Sequence, residues 1–190
     1  ARRELGLPDG RVVVLVTGGS LGARRINDAT VAVTAMWTHR DDVAIRHVVG
    51  RRDWPDFRDT RPAEGGAIFY GAVEFEDRMD LALTAADVAV GRSGANTVAE
   101  LAAAGVPAVF VPLPIATEDH QAANARAVEA VGGGVLVPDG ELTGERLRDA
   151  LEPIVTDAAL RDRMGDAIGG LARADAAELV ASLIEEHARG

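Results

Sequence analysis

The chain has 190 residues, 47% of them hydrophobic and 26% charged, which is enough for a well-buried globular domain and gives no sign of disorder. Its net charge of -10 repels phosphate backbones and anionic lipid headgroups, so no nucleic-acid partner and no membrane insertion by this segment are expected; no apolar run reaches bilayer-spanning length. Cys and Lys are both absent and all 20 basic residues are Arg, which excludes disulfides, thiolate metal sites, a Walker A lysine, and Schiff-base or pyridoxal phosphate chemistry.

In chain order, residues 1–10 read as a short helix and turn leading into a strand. The absence of an initiator Met adds the expectation of an excised domain, and the absence of a signal peptide that of a cytoplasmic, soluble one. Short runs rich in Val, Ile and Ala follow at 11–17, 43–49, 67–70, 87–90, 107–111 and 134–137. Their near-continuous apolar character suits parallel strands covered on both faces. Helical patterns fall between them at about 22–38, 51–59, 77–85, 95–104 and 119–131. From about Thr143 onward the pattern predicts two or three amphipathic helices, with a break at Gly169-Gly170. This alternation predicts an α/β domain: a doubly wound, Rossmann-like, six-stranded parallel sheet over 1–190 with a helical tail. In the order 3-2-1-4-5-6, strands 1 and 4 are neighbours and ligands bind beyond their carboxyl ends.

Glycine turns follow both of those strands. The first is Thr17-Gly18-Gly19-Ser20-Leu21-Gly22. It has neither the dinucleotide spacing nor a P-loop Lys, which leaves a Gly-Gly-Ser turn whose amides and Ser20 hydroxyl suit a phosphate. The second runs from Gly91-Arg92-Ser93-Gly94 into the Ala-rich segment Ala95-Asn96-Thr97-Val98-Ala99-Glu100, which stops at Gly105 before Pro107. A helix start reached through glycines favours an anion, and Glu100, about a turn and a half in, suits sugar hydroxyls. The plainer alternative makes Ser93 a helix cap and Glu100 a solvated acid.

Two further segments carry chemistry. Glu118-Asp119-His120-Gln121, after Pro112-Leu113-Pro114, reads either as an acidic first helical turn or, through Gln121, as a reader of sugar hydroxyls. In Glu74-Phe75-Glu76-Asp77, Phe75 suits either a base stack or ordinary core. Arg92 fits a structural ion pair at least as well as a phosphate contact. No metal-ligand cluster is evident, so no cofactor or metal is expected.

Gly18-Gly19-Ser20-Leu21-Gly22-Ala23, Arg92-Ser93-Gly94-Ala95 through Glu100 to Gly105, and Asp119-His120-Gln121 with Asn124-Ala125 resemble the donor-binding domain of the MurG family. These are bacterial N-acetylglucosaminyltransferases of peptidoglycan synthesis, of the glycosyltransferase family 28 type, and the similarity extends over nearly the whole chain. The resemblance implies the C-terminal half of a two-domain GT-B enzyme. It implies that Ser20 and the turn Ala95, Asn96 and Thr97 meet the donor diphosphate, with Gly19, Val98 and Ala99 counted among the donor-binding residues. Glu100 would hold the ribose, Gln121 the N-acetylglucosamine and the backbone at Glu76 the uracil, with Phe75 beside it counted among the donor-binding residues. It further implies a UDP-N-acetylglucosamine donor, a lipid-linked muramyl-pentapeptide acceptor bound by an N-terminal domain outside this chain, and a full-length enzyme peripheral on the cytoplasmic face of the membrane. No catalytic residue is then expected in this chain, and His39 and His47 are assigned to the scaffold. The alternatives are a GT-B transferase with another donor or lipid acceptor, and a binding-only nucleotide-sugar subunit of a split transferase.

Overall fold

Six short apolar runs separated by helices assemble into one parallel sheet in the computed structural model, which describes residues 1–62, 64–114 and 120–172. The strands are β1 (Val12–Thr17), β2 (Val43–Val48), β3 (Phe69–Val73), β4 (Val88–Gly91), β5 (Ala108–Phe110) and β6 (Gly134–Leu136). Between and after them lie α1 (Arg24–Met36), α2 (Trp54–Phe57), α3 (Met79–Ala85), α4 (Ala95–Ala104), α5 (His120–Ala130), α6 (Gly144–Thr156) and α7 (Ala158–Gly169). The order is β3-β2-β1-β4-β5-β6, the predicted doubly wound sheet with its reversal between β1 and β4.

Helices cover both faces, which is why the strands lack polar alternation. On one face Val14, Val16, Val88, Val90 and Val109 meet Ile26 and Val33 of α1 and Leu147, Leu151 and Ile154 of α6. On the other, Ala108 and Phe110 meet Leu101 and Ala102 of α4, Val128 of α5 and Ile168 of α7. The tail from Thr143 therefore belongs to the core as far as it is described. Gly170 ends α7 as the glycine pair predicts, and the possible third tail helix lies outside the described residues.

Three of the helical expectations change. Residues 1–10 contain turns but no helix among the described elements. The helix expected at 22–38 begins at Arg24, because Gly22 has φ +91° and Ala23 is extended. The helix expected at 51–59 is four residues long, Trp54–Phe57, because residues 49–53 form a loop that supports the first glycine turn. Among the described residues no helix is long and apolar enough to cross a membrane.

Candidate functional site

Both glycine turns lie at the carboxyl end of the sheet, side by side because β1 pairs with β4 through Thr17↔Gly91. In the first, Gly22 N–H donates to Gly19 O at 3.0 Å, and the chain enters α1 through Ala23, whose side chain offers no cap. The turn rests on the loop after β2: Arg51 N–H donates to Ser20 O at 3.2 Å and Arg52 N–H to Leu21 O at 3.3 Å. The approach is so close that a Cβ on Gly22 would stand 2.4 Å from Val49 O, and one on Gly50 would stand 2.2 Å from Gly22 N.

In the second turn Ser93 is not the cap that the plainer reading makes it. Gly94 holds the N-cap position with no side-chain hydrogen bond, while the fully buried Ser93 donates its hydroxyl to Gln121 O at 2.7 Å. Asn124 Nδ2 donates to Ser93 O at 3.0 Å, so the turn is fastened to α5. The physical result is that α4, like α1, starts without a side-chain cap. By contrast, α6 and α7 are capped by Thr143 and Asp157, which accept from Arg146 N–H and Leu160 N–H. An uncapped helix start leaves N–H groups and a partial positive charge for an anion, and here two adjoin.

A cleft of about 620 Å³ opens between them, lined among others by Gly19, Ser20, Arg52, Gly94, Thr97 and Gln121. A second cleft of about 160 Å³ shares Gly19, Arg92 and Thr97 with it and adds Thr17, Gly91 and Glu100. Sequence-predicted residues from three separate loops thus meet in one place. Gln121 accepts at Oε1 from Leu113 N–H at 3.0 Å, which orients its amide at the cleft wall. Arg92 takes the structural role: it donates to Asp139 Oδ1 at 2.6 Å and to the carbonyls of Val111 and Pro112. Glu118 and Asp119 lie outside the described residues.

Other predicted residues stand elsewhere. Ala95, Val98 and Ala99 line a separate groove with Asn124, Ala127 and Val128, and Val98 N–H already closes a helical bond to Gly94 O. Phe75 lies outside both clefts, 39% exposed, with the Arg51 guanidinium 4.7 Å from its ring centre. Glu76 is buried and its carboxylate is spent within the fold, accepting from Arg46 at 2.6 Å and from Arg78 N–H at 3.2 Å. His47 is fully buried in the scaffold, and burial pushes its imidazole down to about 4, which keeps the ring neutral. Sequence reasoning missed three residues that line the larger cleft, Arg24 and Arg25 just after the first glycine turn and Arg52 in the loop after β2; their places beside those loops were the available signal. Among the described residues no group of three or more His, Asp or Glu could hold a metal ion.

The model of the glycosyltransferase family 28 C-terminal domain matches residues 13–180. A Nocardia farcinica protein named UDP-N-acetylglucosamine--N-acetylmuramyl-(pentapeptide) pyrophosphoryl-undecaprenol N-acetylglucosamine transferase is 43% identical over 189 residues, covering 100% of this chain and 48% of that protein. A protein of the same name from Alkalilimnicola ehrlichii is 43% identical over 176 residues, covering 93% of this chain and 49% of its own length. The chain thus spans about half the length of the curated relatives it matches. Among solved structures, Acinetobacter baumannii MurG superposes with a TM-score of 0.84 at 30% identity, over 94% of this chain and 53% of that one.

Proposed function

Because the chain belongs to the glycosyltransferase family 28 C-terminal domain family, we propose that it forms the donor-binding half of an inverting N-acetylglucosaminyltransferase of peptidoglycan synthesis. The donor would be UDP-N-acetylglucosamine, and the acceptor the 4-hydroxyl of a polyprenyl-diphosphate-linked muramyl pentapeptide, the substrate class named in the relatives. The observation that carries this reading is the pair of uncapped helix starts, α1 and α4, meeting at the β1/β4 reversal.

A UDP leaving group gains negative charge as the glycosidic bond breaks. Oriented amides at the starts of α1 and α4, with the Ser20 turn beside the first, stabilise that charge without reorganising. Glu100, on the wall of the smaller cleft, accepts from ribose hydroxyls, and Gln121, across the larger one, reads the sugar. Phe75 and the backbone at Glu76, in the loop after β3, are assigned to the base. The part of the relatives' length that this chain does not span would supply the acceptor site and the base that deprotonates the acceptor. The full enzyme would then work at the cytoplasmic face of the membrane.

Calorimetric titration with UDP-N-acetylglucosamine, UDP-glucose, UDP-galactose and UDP tests the reading, with UDP-N-acetylglucosamine expected to bind most tightly among the sugars. A neutral hydrogen bond is worth about 0.5–1.5 kcal/mol, so Gln121→Ala should weaken UDP-N-acetylglucosamine several-fold and leave UDP unchanged. Ser20→Ala should weaken both. Equal losses for UDP and the UDP-sugar in Gln121→Ala would remove Gln121 from the sugar pocket, and absence of UDP binding by the native chain would overturn the proposal.

A further inference from the structure

Beneath the first glycine turn lies a buried polar chain whose Asn27, His47 and Tyr70 line neither cleft. Asn27, on α1 and fully buried, donates from Nδ2 to Val49 O at 3.1 Å and to Asp53 Oδ2 at 3.0 Å. With Nδ2 committed to these two acceptors, Oδ1 is the atom that faces His47 Nε2 at 2.9 Å. That assignment puts the imidazole proton on Nε2, so Nδ1 accepts from the Tyr70 hydroxyl at 2.8 Å. Phe57 closes the ring in from the side, edge-on at 6.4 Å between centroids. Asp53, also buried, accepts from Arg52 at 2.8 Å, and Arg52 donates in turn to Gly22 O at 3.2 Å.

Burying an amide and an imidazole stabilises nothing by itself, since apolar side chains of the same size would fill the space at lower desolvation cost. What the chain does is fix the Val49 carbonyl and the Asp53 carboxylate. These are the two groups against which Gly22 fits without clearance, in the loop that holds the Ser20 and Leu21 carbonyls.

We propose that Asn27 and His47 are positioning residues for the diphosphate turn, holding residues 18–22 in their ligand-ready shape through the 49–53 loop. The inference rests on the donor-binding reading above.

A positioning role and a merely structural one differ in which part of the ligand they affect. The test compares UDP with uridine, which lacks the phosphates, as ligands of the full chain. Removing hydrogen bonds within a network costs more than one neutral bond, so Asn27→Ala is expected to weaken UDP roughly tenfold or more and leave uridine unchanged. Tyr70→Phe deletes one hydroxyl of a residue that lines neither cleft and keeps the ring, so it tests the same polar chain with little change to the fold; a UDP-selective loss of about two- to threefold is expected. Val33→Ala, a cavity on the same helix in the core, serves as a destabilised control that should leave the UDP-to-uridine ratio where it is. Equal weakening of UDP and uridine in Asn27→Ala or Tyr70→Phe, no effect in either, or a shifted ratio in Val33→Ala would overturn the proposal. Failure of the native chain to bind UDP would instead overturn the donor-binding reading, and this inference with it.

Discussion

The two glycine turns occupy equivalent places, each between a central strand and an uncapped helix, yet they are held by opposite means. The first is shaped from below by backbone contact with the 49–53 loop and by a buried polar chain, with Gly22 in the left-handed region and no space around its Cα. The second is fastened from the side by Ser93 and Asn124, and its Gly94 has φ -61° and open space about it. The lesson is that a shared position and the shared task proposed for it, presenting amides to an anion, do not dictate a shared support. At Gly22 of the first turn glycine is required by geometry; at Gly94 of the second it is required only by whatever approaches it.

Substitution of the two glycines separates these cases most sharply. Gly22→Ala combines left-handed backbone strain with a backbone clash and is expected to cost about 3 kcal/mol or more of folding stability, measured by chemical denaturation. An effect under about 1 kcal/mol there would mean that the first turn is no more tightly held than the second.

The polar support of the first turn should also give the protein an acid-sensitive window. His47 has its folded value near 4 against an ordinary 6.5, so between these the unfolded chain binds the extra proton. Stability is therefore complete above 6.5 and falls as pH drops toward 4, by about 3 kcal/mol from this group alone. Denaturation curves at neutral pH and near the lower limit should show that loss in the native chain and a smaller one in His47→Gln. Equal losses in both would detach His47 from the effect.

Glu100 sharpens the comparison from the side of the second turn, whose helix carries the proposed reader of the nucleoside. Exchange of a charged acceptor for an amide in Glu100→Gln should weaken UDP roughly tenfold, since bonds to charged groups are worth about 1.5–3 kcal/mol, while thermal stability stays the same. Unchanged affinity would return Glu100 to the solvated surface. The smallest effect is expected at Gly94→Ala, about 1 kcal/mol or less of stability, the ordinary difference between Gly and Ala at a helix start. A loss there as large as at Gly22 would erase the contrast.

Much of this was legible in the sequence because it is local. Six apolar runs and their order gave the sheet, and each glycine turn announces itself within a few residues. The strand expected at 67–70 runs instead over Phe69–Val73, since pairing with β2 carries the backbone straight through Gly71, which reads locally as a strand end. The support of the first turn was not legible. Asn27, His47 and Tyr70 are separated by 20 and 23 residues, and only the registers of β1, β2 and β3 bring them together. Likewise Ser93 looks like a helix cap in sequence, and only the packing of α5 draws its hydroxyl away to Gln121.

The central claim, that both turns engage one diphosphate, is tested most directly by following backbone amide resonances of the labelled chain during titration with UDP and, separately, uridine. The account predicts that UDP shifts the amides of Gly19 and Ser20 together with those of Ala95, Asn96 and Thr97, along a single binding curve, and that uridine leaves the Gly19 and Ser20 signals in place. Shifts confined to one turn, or centred on the cavity at the opposite end of the sheet lined by Asp87, Arg161 and Asp166, would contradict it.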